Sequence, residues 1–420
     1  MITETQFSAP QLEKSDTPPS KSPSLVSLEV SLLTGGIDKP YVYGLATALM
    51  ARGIALDIVG SDEVDSPDFH ASATTRFLNL RGDQGEATLF EKVERISRYY
   101  ARLLRYAAGA QAGIFHILWN NRFQTLDRTL LMLYYKMLGK KVVFTAHNVN
   151  AARRDSKDSL LNRITLRIQY RLADHIFVHT EKMKSELATD FGVPASKATV
   201  IPFGINNAVP HTELTPAAAK SCLGIRPEQK VLLFFGRIGP YKGLEYLVDA
   251  FEKLVSKDET YTLVIAGKEK GGAEEYLASI RARIQRDFRP GSVIEKIEFI
   301  PDEDTEIYFK AADVLILPYT EVFQSGVLFL GYSFGLPVVA TDIGSMSEGI
   351  AEGSTGLLCK TKDAADLARV IGDYFASDMY TSLNARRGQI RKYALSRNSW
   401  DVVSEMTVNV YTRLLKGEQS

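Results

Sequence analysis

Short apolar runs alternate with longer stretches of helical spacing through most of this chain. SLVSLEVSLL, residues 24–33, reads as a buried strand entering the glycine loop TGG. YVYGLATALMARG then carries apolar residues at helical intervals, and IALDIVGS reads as the next strand. GIFHILW, KKVVFTAHN and DHIFVHT repeat the strand signal, with TLLMLYYKMLG and an arginine-bearing helix between them. Strands that are apolar throughout and separated by helices predict a parallel sheet covered on both faces.

The pattern breaks at IPFGINNAVPHT, whose Pro, Gly and Asn suit a hinge. A second series follows: strands KVLLFFGR, YTLVIAG, KIEFI, DVLILPY and PVVAT, with helices YLVDAFEKLVSK, EEYLASIRARIQRDF, EIYFKAA and AADLARVIGDYF. The prediction is an α/β chain of two doubly wound, Rossmann-like domains. Residues 25–203 form the first and 204–394 the second, after a disordered Ser/Thr/Pro-rich leader at 1–24. The amphipathic stretch at 395–420 is expected to pack back on the first domain. Ligands of such sheets lie outside the carboxyl ends of the strands, so the substrate site belongs in the cleft between the domains.

Charge changes this picture locally. The 50 basic and 50 acidic residues cancel, which removes any bulk electrostatic case for nucleic acid. Residues 101–200, however, hold 16 Lys+Arg against 7 Asp+Glu. Within them Arg163, Arg167 and Arg171 recur every fourth residue as one helix stripe, with Arg153 nearby. A solvated face, an anionic membrane and a phosphate-bearing acceptor are the open readings of that stripe. Cys222 and Cys359 have no metal-ligand or disulfide spacing, and neither a signal peptide nor a bilayer-length apolar span is visible. The expected location is the cytoplasm, with contact at the inner membrane face left open.

Candidate chemistry sits in the loops after the strands. GRIGPYKG, Gly236 to Gly243, follows one strand and precedes a helix, placing Arg237 and Lys242 where cations grip a phosphate favoured by the helix terminus. TGGIDKP is the matching loop of the first domain; Gly36 permits close approach of a ligand, or simply a tight turn. His147 and Asn148 end an apolar strand in VVFTAHN. His116 reads as a core residue, and His175, His179 and His211 carry no spacing argument. In TEVFQSGV, Glu321 and Gln324 precede Ser325, Gly326 and Val327, which would begin a buried helix. Its free N–H groups suit a diphosphate, with the Ser325 hydroxyl as a further donor or as the N-cap. The acidic run PDEDTE reads as the first turn of a helix, and no metal is assigned.

GGI, TAHN, IPFGI, GRIGPYKGLEYLVDAF and GLPVVATDIGSMSEGI with STGLL together resemble family four glycosyltransferases of the GT-B fold, over about residues 25 to 415. The resemblance implies a nucleotide-sugar donor, UDP- or GDP-linked, on the second domain and a glycan or lipid-linked acceptor on the first. It implies metal-independent transfer of a hexose or related sugar with retention. Arg237 and Lys242 would neutralise the departing diphosphate, His147 would face the transferred sugar, and Gly36 and Gly236 would approach the donor or acceptor. Glu348 matches an acidic residue of the family, or caps a helix. One feature departs: the second of the family's two glutamates falls on Leu330 or Phe329. The alternatives are therefore a sugar-nucleotide-binding subunit without activity and a nucleotide-sugar hydrolase or epimerase.

Overall fold

A computed structural model describes residues 28–83, 85, 88–154, 158–206, 209–322 and 325–417. The leader expected at 1–24 and Gln324 lie outside the described residues. The first sheet contains β1 (Glu29–Leu33), β2 (Ala55–Gly60), β3 (Thr75–Asn79), β4 (Ile114–Ile117), β5 (Lys141–Thr145), β6 (His175–Val178) and β7 (Ala198–Val200). The second contains β8 (Lys230–Phe235), β9 (Tyr261–Ala266), β10 (Val293–Lys296), β11 (Val314–Leu317), β12 (Val338–Thr341) and β13 (Gly356–Cys359). The helices that matter below are α1 (Lys39–Ala51), α2 (Leu89–Gly109), α3 (Leu160–Leu172), α4 (Glu181–Phe191), α5 (Leu244–Val255), α6 (Gly326–Ser333), α7 (Leu383–Asn398) and α8 (Trp400–Lys416).

Every strand pair is parallel, in the orders β3-β2-β1-β4-β5-β6-β7 and β10-β9-β8-β11-β12-β13. Both are doubly wound, with the order reversing between β1 and β4 and between β8 and β11. Apolar clusters cover both faces of each sheet: Phe115, Val142 and Ile176 on one face of the first, Val30, Ile58 and Val143 on the other. Leu233 and Leu315 face one layer of the second sheet, Leu232 and Ile316 the opposite one. Continuous apolar strands are what two-sided burial requires.

Two elements differ from the sequence expectation. KIEFI was expected as a strand, but the ladder to β9 uses Val293–Lys296 and leaves Phe299 exposed in the following loop. The return to the first domain starts at Trp400, not at residue 395. There the Ser399 side chain accepts the Val402 N–H and opens a new helix, so residues 395–398 finish α7. Helix α8 then lies on α1: the Trp400 ring fills space that only Gly44 and Gly204 leave, since a Cβ at either would sit 2.0 and 2.4 Å from the indole. Its Nε1–H donates to the Ile205 carbonyl at 2.7 Å. Among the described residues, no helix is long and apolar enough to cross a membrane.

Candidate active site

Each order reversal places loops at the carboxyl ends of its sheet, and the domains meet in a cavity lined by Asn150, Arg153 and Lys182 of the first and Glu321 and Gly344 of the second. On the second domain, the loop after β8 meets the loop after β11. Gly243 holds φ +63° just before α5, and a Cβ there would lie 2.0 Å from the Pro318 carbonyl oxygen, so only glycine closes this joint. The Tyr241 carbonyl accepts the N–H groups of Thr320 (2.9 Å) and Glu321 (3.4 Å), welding the loops together. Gly236 abuts Val327 of α6, with 3.2 Å from its Cβ position to Cγ2.

Lys242 is buried, its ammonium 3.6 Å from the centre of the Tyr319 ring, a cation–π contact. The Tyr319 hydroxyl in turn lies 3.2 Å from Ser325 Oγ. For Ser325 the side-chain cap reading does not hold. Ser325 occupies the N-cap position of α6, but its hydroxyl makes no capping bond. The first N–H groups of α6 therefore have no side-chain cap from Ser325. Arg237 is exposed and makes no hydrogen bond or ion pair among the described residues. Glu321 is also exposed, and shares a cavity with Asn150, Arg153 and Lys182 of the first domain.

On the first domain, Gly36 holds φ +73° after β1, and a Cβ would press on Arg81 Cδ at 2.9 Å and Ser61 Oγ at 3.1 Å. Thr34 Oγ1 accepts the Gly36 N–H at 3.0 Å, and the Gly36 carbonyl accepts the Ser61 hydroxyl at 3.1 Å. His147, two residues beyond β5, stacks on Trp119 with centroids 4.0 Å apart and planes 7° apart; the Tyr41 ring meets its edge at 4.6 Å. His179 Nδ1 lies 3.2 Å from the Ile201 carbonyl, to which it must donate, leaving Nε2 to accept from His147 Nδ1–H at 3.1 Å. This chain fixes the tautomer of His147, and its Nε2 is left as a buried acceptor without a partner among the described residues. Burial, then the neighbouring His179 and His116, hold the His147 imidazolium well below its ordinary pKa, against the opposite pull of the Leu118 carbonyl. His147 is neutral at physiological pH.

The sequence reading gave no role to His179, Trp119 or Tyr41. A signal was available for His179: β5 and β6 are neighbours, and each delivers a histidine just past its carboxyl end. Trp119 and Tyr41 announce nothing in one dimension, because aromatic residues at strand ends and in helices are ordinary core.

Glu348 is placed differently from the other candidates. Its carboxylate accepts the N–H groups of Glu181 (3.1 Å) and Lys182 (3.4 Å), so a side chain of the second domain caps helix α4 of the first. Lys182 Nζ reaches back to the Gly344 carbonyl at 3.3 Å, and Ser345 Oγ to Thr180 Oγ1 at 3.0 Å. Glu348 caps a helix, and the cap crosses the domain boundary. Phe203 of the hinge lies between His179 and Phe329, stacked on the latter at 6.0 Å. Phe329 and Leu330 are both buried in the apolar core, where a carboxylate would be costly. Arg163, Arg167 and Arg171 lie away from the cleft on the exposed side of α3.

Burial also sets a pH response. Desolvation lowers His175 and His179 to about 4 and His116 to about 3. In the unfolded chain these rings take protons below about pH 6.5. The unfolded state then binds more protons than the native one, so stability falls as pH drops from 6.5 towards 4. By pH 5 the loss is roughly 2 kcal/mol for each ring held near 4. Urea unfolding at pH 7.5 and pH 5 should show a clearly lower midpoint at pH 5; equal midpoints would contradict the buried neutral assignment.

Comparison with known proteins decides what this arrangement belongs to. Residues 39–209 match the family described as Glycosyltransferase Family 4, and residues 229–377 match Glycosyl transferases group 1. The chain belongs with the family 4-like glycosyltransferases of the GT-B fold. A D-inositol 3-phosphate glycosyltransferase of Mycobacteroides abscessus is 25% identical over 81% of this chain and 77% of its own. One from Streptomyces avermitilis is 28% identical over 59% of this chain, and that match spans about half (53%) of the relative. Among solved structures, the sucrose-phosphate synthase of Thermosynechococcus elongatus superposes with TM-score 0.73 at 19% identity, covering 93% of this chain and all of that one. Anabaena Alr3699/HepE in complex with UDP gives TM-score 0.70 at 16% identity, with 91% and 99% covered. These likenesses make the two-sheet architecture that of the GT-B fold.

Proposed function

We propose that this GT-B glycosyltransferase moves a hexose or related sugar from a UDP- or GDP-sugar to a glycan or lipid-linked acceptor, retaining the anomeric configuration and using no metal. What supports the proposal is the kind of group each domain carries at the carboxyl ends of its strands. Arg237, Lys242 and the uncapped amino end of α6 belong to the second domain, and neutral His147 and the Gly36 loop to the first, each after a strand of its sheet. Developing negative charge on a departing nucleoside diphosphate is met by fixed donors and cations that need no rearrangement. A hydroxyl of the bound sugar that reached His147 Nε2 would supply the partner this buried acceptor lacks, a deficit of about 1–3 kcal/mol. Closure across the hinge excludes water, which competes with the acceptor for the donor.

The names of relatives point the same way: a related fold has been solved with UDP and with UDP-glucose, and curated relatives are inositol 3-phosphate glycosyltransferases. The apolar Phe329 and Leu330 leave the family's second glutamate role unfilled, which favours altered ribose recognition and keeps a donor-binding subunit without turnover as the second reading. A donor assay that separates glycosylated product from free sugar tests all three. Product glycoside supports transfer; free sugar alone would make the protein a hydrolase, and binding without turnover a subunit.

Peripheral contact with an anionic membrane belongs to the same proposal. Arg163, Arg167 and Arg171 are exposed beside the apolar Leu160, Leu161 and Ile164, which are exposed as well. Changing the three arginines to Gln should reduce sedimentation with anionic vesicles severalfold while nucleotide affinity stays unchanged. Equal vesicle binding by variant and parent would remove the membrane contact.

A further inference from the structure

One row of residues crosses three neighbouring strands of the first sheet at their carboxyl ends. In the parallel register Thr145 of β5 lies opposite Phe177 of β6, and Phe177 opposite Thr199 of β7. Two residues further on, that register brings His147, His179 and Ile201 into line, each just past its strand. Backbone bonds hold the row in place: the Ala146 N–H donates to the Phe177 carbonyl at 2.8 Å, and the Ile201 N–H to the Val178 carbonyl at 2.8 Å. On the far side of His179, Thr180 Oγ1 accepts the Met183 N–H at 3.1 Å and fixes the start of α4.

Ring packing alone leaves His147 undecided. The Trp119 ring covers its face and the Tyr41 ring meets its edge. Both contacts tolerate a half-turn of the imidazole about its Cβ–Cγ bond, which exchanges Nδ1 with a carbon. A directed bond is needed to choose, and His179 Nε2, 3.1 Å from His147 Nδ1, supplies it. The direction of that bond is set from the strand end outward. A carbonyl has no proton to give, so Ile201 obliges His179 to carry its proton on Nδ1. His179 is buried against the Phe203 ring, centroids 5.0 Å apart, and desolvation keeps it neutral, so its Nε2 holds a lone pair. His147 must then donate from Nδ1, and its own Nε2 can only accept.

We propose that His179 is a positioning residue, which selects the ring orientation and tautomer of His147 and so makes His147 Nε2 an obligatory acceptor for a hydroxyl of the transferred sugar. The proposal rests on the donor assignment given above. His179 acts through His147, and its effect is on the sugar part of the donor, with the nucleotide part untouched.

Two substitutions separate this role from packing. His179→Leu keeps an apolar side chain of similar volume and removes both hydrogen bonds. His179→Gln keeps both, since its amide nitrogen donates to the Ile201 carbonyl while its oxygen accepts from His147 Nδ1–H. Nitrogen-15 NMR of full-length, histidine-labelled protein at pH 7.5 reads the tautomer, with the His147 signals assigned by their loss in His147→Gln. The parent and H179Q should carry the proton on Nδ1 and leave Nε2 bare; H179L should move the proton to Nε2 or populate both forms. A proton on Nε2 in the parent would overturn the proposal. So would an unchanged tautomer in H179L, which would give the role to the Leu118 carbonyl, the other acceptor beside this ring. Circular dichroism checks folding, and His179→Met replaces the Leu variant if that one is unfolded.

The second readout is calorimetry with UDP, GDP, UDP-glucose, UDP-galactose and GDP-mannose. The sugar nucleotide that binds the parent more tightly than its bare nucleotide should lose roughly tenfold in affinity with H179L, the scale of one unpaired buried acceptor. Bare nucleotide should bind H179L as it binds the parent, and H179Q should restore the sugar's share. An equal loss for nucleotide and sugar nucleotide, no rescue by Gln, or no gain from any sugar in the parent would overturn the proposal. If neither UDP nor GDP binds the parent, the donor assignment fails by itself, and the NMR spectra still decide whether His179 sets the His147 ring.

Discussion

Replacing Arg237 by Ala should lower kcat/KM for the donor by about 10²–10³-fold, the scale seen when one preorganised charge-stabilising donor is removed. The same loss expressed as transition-state free energy is about 3–4 kcal/mol. Arg237 is suited to this test because it is exposed and holds nothing else: it has no hydrogen bond or ion pair among the described residues, so its removal leaves the fold intact. The thermal midpoint should stay within about a degree, as expected for a surface change of under 0.5 kcal/mol. Lys242 differs in kind. Its ammonium packs on the buried Tyr319 ring, so Lys242→Ala mixes lost charge with lost packing and is expected to lower the midpoint too. A kcat/KM change below threefold for Arg237→Ala would show that the departing diphosphate is stabilised elsewhere.

Trp400→Ala should cost about 3–5 kcal/mol of stability, the range for deleting a buried aromatic side chain. The cost is at the upper end of single substitutions because Trp400 does three things at once. Its ring occupies a slot that Gly44 of α1 and Gly204 of the hinge leave open, it meets the Tyr41 ring edge-on at 5.0 Å, and its Nε1–H satisfies the Ile205 carbonyl. Alanine leaves a cavity lined by two glycines that cannot fill it, and orphans that carbonyl. Asp401 is the internal control. It pairs with Arg52 at 2.6 Å on the surface, and Asp401→Ala should cost no more than about 1 kcal/mol. Denaturant unfolding of the two variants reads the difference directly. A Trp400→Ala midpoint as mild as that of Asp401→Ala would mean that α8 is not an integral part of the first domain.

The two sheets were legible because their strands are buried on both faces and carry unbroken apolar runs. Edge elements were not. Strand β3, TRFLN, is half-exposed along its length and shows neither a continuous run nor a clean alternation. Helix α2 carries seven Lys, Arg or Glu side chains among its 21 residues, and its cations read in one dimension as an ordinary charged face. The loops after β8 and β11 were visible as glycines and cations after apolar strands. What they touch was not: the Ser325 hydroxyl is diverted to Tyr319, and Glu348 crosses to the other domain, because both outcomes depend on loops distant in sequence. The same is true of His179, whose role is created by the neighbouring strand.

The most direct test of the central claim is calorimetric titration of UDP and GDP into the parent protein and into the Arg237→Ala, Lys242→Ala double variant. The account predicts that one of the two nucleotides binds the parent, and that the double variant, confirmed folded by circular dichroism, binds it at least tenfold more weakly. Failure of both nucleotides to bind the parent, or equal affinity in both proteins, would contradict the assignment of this cleft as a nucleotide-sugar site.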